Sequence, residues 1–424
     1  CNCLRSNNQL PQIGLQSLAK LELGLYPSGT KGFLVFKITH TMNVRLMFLF
    51  LSLATLPLAA QSDAIQFTNE DGTTTSMEER MAAEQTKGAA LLVMVDGEVL
   101  LQENWGWRDA EQQLPVENET IFQIGSMSQP VTQFAIMRLV SDGVLDLDTD
   151  INQYLSSWQL PENKITANKP VTIRDLCLHR RGFKFPYKPD GFAAGQAMPN
   201  HLQLLNGEKP AQNPPVRLKK DLNQNGDHTF AGALIMQQIL MDHYEQSFEQ
   251  IAQEQVFAPL GMTSSFFAAE LTAEQKANLA VGYGPNKQRL EDDYKRYPEL
   301  AASGMYTTTY DYAIFVQALL DAVAGRDNRF INQALAQEAL APANNDEAMM
   351  VNRSDNEFFW GGATKGYYTQ FEADAKDHNW VVVAFMNDHI NWSFNGALRR
   401  QGIAYAKTQM NTATGSTSEG SEKR

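Results

Sequence analysis

The sequence predicts an α+β fold, an α/β sandwich in which an antiparallel β-sheet is flanked by helices and joined to an all-helical lobe. Strand patterns occur in two blocks, one at residues 89–103 and one at 358–386. The stretch of about 126–323 between the blocks has mainly helical patterns. Because a sheet must cover its apolar face, we expect both blocks to form one antiparallel sheet, with the helical middle as a second lobe.

The first strand block has the pattern of a β-hairpin. Ala89 to Val95 is a continuous apolar run, typical of a buried strand. Asp96-Gly97 is a dipeptide favoured in tight hairpin turns, and residues 98–103 form the returning strand. The second block contributes predicted strands at 358–362, 367–371 and 380–386.

A glycine–serine pair, Gly125-Ser126, precedes the best-defined helix. Apolar residues at 131, 134, 135, 137 and 139 repeat at helical spacing and predict an amphipathic helix to about Ser141, ending near Asp142-Gly143. Pro130 falls in the first turn, where a missing N–H costs nothing. Ser126 therefore lies at the helix N-terminus, where the helix dipole favours an oxyanion or a developing alkoxide.

Further helices are predicted along the chain, with Thr172 as the N-cap of one and the segment 259–262 ending another. They lie at about 151–155, 172–178, 230–244, 310–323 and 395–407, and another follows the one at 230–244 and ends at about 256. Residues 183–227 are rich in Pro, Gly, Asn and Lys and weakly periodic, which is typical of a functional loop or lid.

The two ends of the chain are predicted to lie outside the folded domain. Residues 1–41 are interpreted as a spurious or unstructured extension, and 42–60 as a signal peptide with a basic start, a short apolar core and small residues before Gln61. The alternative for 42–60 is an uncleaved membrane anchor, which the short apolar run disfavours. The domain is expected at 61–407, a disordered tail at 408–424, and the mature protein in the periplasm or secreted.

The composition disfavours several kinds of partner. Acidic side chains outnumber basic ones by 48 to 35, which argues against nucleic acid or anionic lipid. Within the predicted domain Cys177 is the one cysteine, so we expect no internal disulfide and a small buried hydrophobe at that position. The histidines at 201, 243, 378 and 389 show no paired metal-ligand spacing, and we expect neither a metal nor a cofactor.

Six short motifs, in order, resemble those of the serine β-lactamase and DD-peptidase superfamily, and especially the class C-like serine hydrolases of bacterial envelopes. They lie at 122–126, 143–148, 172–179, 259–262, 302–308 and 361–363, and the likeness covers about 86–406. The resemblance implies a penicillin-binding-protein-like fold and a serine that becomes acylated. It further implies a base shared by a Ser-x-x-Lys lysine and a tyrosine, a basic residue on a sheet strand, and an oxyanion hole of backbone N–H groups that includes the serine's own.

The sequence departs from this pattern where the family handles protons. Ser126 holds the nucleophile position, but Gln129 stands in place of the lysine, and an amide is not basic. His228 stands in place of the tyrosine. Trp360, which precedes Gly361-Gly362 at the predicted edge of the cleft, stands in place of the basic strand residue.

Each of these positions also has a simpler interpretation. Ser126 could serve only as a helix N-cap, and His228 could be a surface histidine in a turn. Trp360 could be ordinary core packing, or it could narrow the cleft and offer a stacking face. Arg180, in the segment 179–182 that replaces a family loop, either lines the cleft and holds an anionic ligand or stays solvated.

Two classes of function follow. The first is a secreted pseudoenzyme that binds a small molecule, peptide or muropeptide in the former active-site cleft, with no nucleic-acid partner and no stable membrane span after signal cleavage. The second is an active serine hydrolase, an esterase or peptidase that transfers acyl groups through Ser126 with His228 as the base. The three replacements favour the first class, because each positioned acid–base group contributes about 10²–10⁴-fold to the rate. The sequence leaves the oligomeric state open.

Overall fold

The computed structural model describes residues 65–68, 73–178, 182–183, 190–220, 230–343, 348–389 and 391–418. Arg180, His228 and the whole of 1–60 lie outside these ranges, so the predictions made for them stay predictions. The same holds for the parts of the predicted 183–227 loop at 184–189 and 221–227.

Strands of the described residues form three antiparallel sheets. They are β1 (Gln66–Thr68), β2 (Thr74–Ser76), β3 (Gly88–Val95), β4 (Glu98–Asp109), β5 (Leu114–Pro115), β6 (Phe122–Gln123), β7 (Phe266–Phe267), β8 (Met305–Thr307), β9 (Asn352–Arg353), β10 (Glu357–Thr364), β11 (Tyr367–Asp374) and β12 (Trp380–Met386). β1 pairs with β2, and β6, β8 and β7 form a small sheet. The other seven strands form the central sheet in the order β5-β4-β3-β12-β11-β10-β9.

The central sheet joins the two strand blocks predicted from the sequence. β3 is buried along its whole length and pairs antiparallel with β12, so that Leu92 lies opposite Val383. At the β3–β4 turn Asp96 and Gly97 have φ values of 50° and 79°, the left-handed conformation that a tight hairpin needs. The prediction that both strand blocks belong to one antiparallel sheet is confirmed.

Helices of the described residues fill the middle of the chain and its C-terminal end. They are α1 (Met77–Glu84), α2 (Ser128–Ser141), α3 (Ile173–Cys177), α4 (His201–Asn206), α5 (Ala231–Tyr244), α6 (Phe248–Ala252), α7 (Ala258–Leu260), α8 (Ala273–Ala277), α9 (Leu300–Ser303), α10 (Thr309–Ala324), α11 (Gln333–Ala339) and α12 (Trp392–Ser418). Within the described ranges, no helix is both long and apolar enough to cross a membrane.

Helices pack on both faces of the central sheet. Alternate residues of β3 point to opposite faces, as a pleated strand requires. Leu91 and Val93 pack with Phe394 and Leu398 of α12, whereas Leu92 belongs to the core shared with the helical lobe. This arrangement confirms the predicted α+β sandwich with a helical lobe.

Two predicted helices differ from the structure. The helix expected at 151–155 is a single 3₁₀ turn, because the next backbone N–H groups, of Ser156 and Ser157, bond to the Asp242 carboxylate instead. The last helix continues to Ser418 and does not end near residue 407, so the tail predicted to be disordered is helical to that point. The Thr408 hydroxyl donates to a carbonyl one turn earlier, which lets a threonine-rich segment stay helical.

Cys177 is buried in the helical lobe, as the sequence predicted. Its Sγ lies 3.7 Å from Sδ of Met236. Burial raises the pKa of the thiol to about 12, so Cys177 is an uncharged packing residue.

Candidate active site

Ser126 lies in a 3₁₀ turn, Gly125–Met127, that leads directly into α2. β6 brings the chain to this turn and is fixed by pairing with β8, where Gln123 lies opposite Tyr306. Ser126 stays partly exposed, whereas both neighbours are buried. The serine is therefore at the N-terminal end of a helix of 14 residues, where the dipole and the free N–H groups favour negative charge.

The main chain of strand β10 packs directly against the main chain of this serine turn. Gly125 has a φ of +53°, and a Cβ built on it would lie 3.0 Å from both N and O of Ala363. A Cβ on Gly362 would lie 1.8 Å from the carbonyl oxygen of Ile124. Thr369 of β11 donates its hydroxyl to that same carbonyl at 3.1 Å. Only glycine at 362 permits this approach, which brings β10 beside Ser126.

Buried side chains also hold the serine turn. The Ser128 hydroxyl donates to the Gly125 carbonyl oxygen at 2.6 Å and accepts the Met305 N–H at 3.1 Å. The Tyr312 hydroxyl donates to the Met127 carbonyl oxygen at 3.1 Å. Ser128 and Tyr312 were not among the residues predicted for the site. The signal in the sequence was only that polar groups inside an apolar helix need partners.

Trp360 contacts the serine turn through a main-chain hydrogen bond. Its indole Nε1–H donates to the Ser126 carbonyl oxygen at 2.9 Å. In a helix that carbonyl would receive the N–H four residues later, but residue 130 is proline and has none. Trp360 is half-buried, packs against the core and donates to this carbonyl in place of the N–H that residue 130 lacks. In place of the basic residue that the resemblance implies, this position therefore has a side chain that donates to the Ser126 carbonyl.

This pairing predicts an energetic coupling between Trp360 and Pro130. Trp360→Phe should lower the free energy of unfolding by about 1 kcal/mol for the lost hydrogen bond, in addition to the packing lost with the smaller ring. In a Pro130→Ala background the backbone N–H introduced at position 130 can bond to the Ser126 carbonyl, so the same change should cost about 0.5–1 kcal/mol less. Urea unfolding of the four variants measures this. If Trp360→Phe lowers the free energy of unfolding equally in both backgrounds, the indole hydrogen bond does not compensate for the N–H that Pro130 lacks.

Gln129 lies one turn after Ser126, at the position where the resemblance implies a lysine. Its side chain is fully buried. Neither Oε1 nor Nε2 has a hydrogen-bond partner within the described part of the chain. A carboxamide can neither accept a proton from the serine nor carry a charge at neutral pH.

The buried polar groups next to Gln129 have partners. Gln237 of α5 accepts the Ala301 N–H at 3.1 Å, and the Thr132 hydroxyl donates to the Ala301 carbonyl oxygen at 3.1 Å. Gln133 donates to the Cys177 carbonyl oxygen at 3.4 Å. These bonds join α2 to α3 and α9, and α5 to α9.

The arrangement retains a serine at a helix N-terminus but gives it no base within the described residues. The Ser126 hydroxyl makes no hydrogen bond to a lysine, histidine or carboxylate of those residues. The structure therefore brings together Ser126, Gln129, Trp360 and the glycine pair 361–362, which we call the Ser126 cleft. It does not describe His228 or Arg180, so their predicted places in the cleft remain predictions.

Metal binding has no support within the described residues. They contain no group of three or more His, Cys, Asp or Glu side chains placed to hold an ion. Of the histidines considered from the sequence, His201 has Nε2 3.0 Å from the Leu234 carbonyl oxygen. Burial lowers the pKa of His201 to about 4, so its ring is neutral at physiological pH.

Comparison with known proteins agrees with this geometry. A model of the Beta-lactamase family matches residues 74–406. Protein Rv1367c of Mycobacterium tuberculosis is 28% identical over an alignment of 277 residues that covers 59% of this chain and 67% of that protein. The mitochondrial serine beta-lactamase-like protein LACTB of Mus musculus is 28% identical over 145 residues, which are 34% of this chain and 26% of that protein.

Among solved structures, the D-amino acid amidase of Ochrobactrum anthropi SV3 complexed with D-phenylalanine has a similar fold. The TM-score is 0.63 at 18% sequence identity, and the likeness covers 78% of this chain and 96% of the amidase. At that identity the likeness concerns the fold alone. Since the family match extends over most of the sequence, the chain belongs to the beta-lactamase family, within the superfamily of serine β-lactamases and penicillin-binding proteins.

Proposed function

We propose that this protein is a catalytically impaired member of its family that binds a ligand in the Ser126 cleft. The observation that carries the proposal is Gln129, an uncharged and fully buried side chain at the position of the family's base. Without a neighbouring base the serine hydroxyl is a poor nucleophile. Trp360 supports the same conclusion, because its indole N–H is engaged with the Ser126 carbonyl in place of a basic side chain.

The ligand class that fits this proposal is a small molecule or a peptide-like compound such as a muropeptide. The N-terminus of α2 can hold a carbonyl oxygen, and Trp360 offers an aromatic surface beside it. The acidic chain supports a partner other than nucleic acid.

Covalent labelling followed by intact-mass measurement tests the loss of acyl transfer. The folded protein is incubated with a fluorophosphonate and, separately, with a penicillin, beside Ser126→Ala and a family member with an intact Ser-x-x-Lys motif. We expect the mass of the protein to stay unchanged while the intact family member gains an adduct. An adduct on the wild type that is absent from Ser126→Ala would overturn the proposal, and His228→Ala would then test the Ser126–His228 pair.

We also infer that the protein is exported to the periplasm or secreted. The support is the basic, apolar and small-residue pattern of 42–60 in the sequence. The intact-mass spectrum of protein from the cell envelope or medium tests this as well. We expect a mature chain that starts near Gln61, and a chain that retains 42–60 would contradict signal cleavage.

A further inference from the structure

The unpaired carboxamide of Gln129 is unusual for its surroundings. Buried polar side chains nearly always have hydrogen-bond partners, and an unpaired one destabilises the fold. On the same helix Gln133 is also buried, but it bonds to the Cys177 carbonyl oxygen. Across the interface Gln237 accepts the Ala301 N–H. The unpaired amide is therefore a property of position 129 and not of the whole helix interface.

Helix geometry predicts that the side chain of Gln129 is directed toward the serine. It lies three residues after Ser126 and so on the same side of the helix, in the first turn of α2. Helical side chains lean toward the N-terminus, which carries this carboxamide back toward Ser126. A helix N-terminus, a partly exposed serine and an unpaired buried amide thus belong to one site.

The chemistry of this site selects an uncharged group. Burying a charge without a partner is strongly disfavoured, and Gln129 itself is neutral. A carboxamide offers both an acceptor oxygen and a donor nitrogen, the complement of an amide group that presents N–H and C=O. A carboxylate has only acceptors, and an ester lacks the N–H.

We propose that the Ser126 cleft binds its ligand through an uncharged amide group that pairs with Gln129, an inference that rests on the proposed binding function. Gln129 is closed to solvent, so the amide reaches it only when a neighbouring side chain shifts. Trp360 is half-buried and is joined to the Ser126 carbonyl by a bond that can be broken without unfolding α2. When the Trp360 side chain moves aside, the ligand amide lies between the indole and the N-terminal end of α2. The same movement changes the fluorescence emission of Trp360.

Calorimetric titration tests the amide selectivity with 2-phenylpropanamide and 2-phenylpropanoic acid, which carries no amide, each as both enantiomers. We expect one amide enantiomer to bind at least 10-fold more tightly than the matching acid, and to change the fluorescence of wild type but not of Trp360→Phe. Gln129→Met keeps the shape of the side chain without its polar atoms. It should weaken amide binding at least 10-fold and yet raise the melting temperature by about 2–4 °C, because an unpaired buried amide is removed.

Gln133→Met is the matched control, since it removes a buried amide that has a partner. It should lower the melting temperature and leave amide affinity unchanged. Three results would each overturn the proposal. They are equal affinity for amide and acid, no amide binding at a probe concentration of about 10 mM, and unchanged amide affinity in Gln129→Met. Acylation of Ser126 in the labelling experiment would instead overturn the proposed function, and the two failures are distinguishable because these amide probes are not acylating agents.

Discussion

Gly362→Ala should abolish the fold around the serine. The added Cβ would lie 1.8 Å from the Ile124 carbonyl oxygen and 2.9 Å from the Thr369 hydroxyl. The first atom belongs to the backbone just before Gly125-Ser126 and cannot rotate away. The strand and the serine turn must therefore separate, and we expect a loss of about 4 kcal/mol or more in the free energy of unfolding. Soluble yield and urea unfolding measure this loss.

The neighbouring glycine provides the control. A Cβ on Gly361 would meet its nearest atom, the Thr369 carbonyl oxygen, at 3.5 Å, an ordinary contact. Gly361→Ala should change the free energy of unfolding by less than about 1 kcal/mol, because a strand tolerates alanine as well as glycine. Equal behaviour of the two variants would show that β10 does not press on the serine turn as described.

Lys287→Met should cause the second large loss of stability, at a site that is remote from the serine in sequence. The Lys287 ammonium bonds to the carboxylate of Asp388, which is 1% exposed and also accepts the Thr86 hydroxyl. Removing the lysine leaves a buried negative charge without its counter-ion. Breaking a buried pair in this way typically lowers the free energy of unfolding by about 3–5 kcal/mol. Chemical unfolding of the variant measures the change.

Two further variants separate charge burial from the loss of a contact. In Lys287→Met/Asp388→Asn no uncompensated charge remains, so part of the stability should return. Arg329→Met breaks an equally direct pair with Asp327, but that arginine is 74% exposed, so we expect little change in the free energy of unfolding. A Lys287→Met variant as stable as Arg329→Met would mean that the Asp388 charge is solvated.

The fold was largely predictable because its strongest signals are local. The hairpin at Asp96-Gly97 and the helix that ends at Ser141 follow from turn chemistry and apolar spacing, and both occur as predicted. The C-terminal helix was predicted too short, since threonine-rich composition resembles disorder. Its hydroxyls instead bond to the preceding turn of α12.

The site was predictable only in part, because its decisive contacts join residues far apart in the chain. Spacing alone placed Gln129 one turn after Ser126. It could not show that the carboxamide is buried without a partner, or that Trp360 reaches the Ser126 carbonyl, since both depend on tertiary packing. Pro130 was the one local clue, because a proline four residues after a helical carbonyl leaves that carbonyl in need of another donor.

The order of the strands has a consequence for how the protein is made. β12, the last strand to leave the ribosome, is the middle strand of seven in the central sheet. Until it arrives, the apolar β3 has an open edge on which other chains can pair. Sheets closed by such distant partners form slowly and stay exposed to aggregation, so the nascent chain should need a chaperone until synthesis is complete.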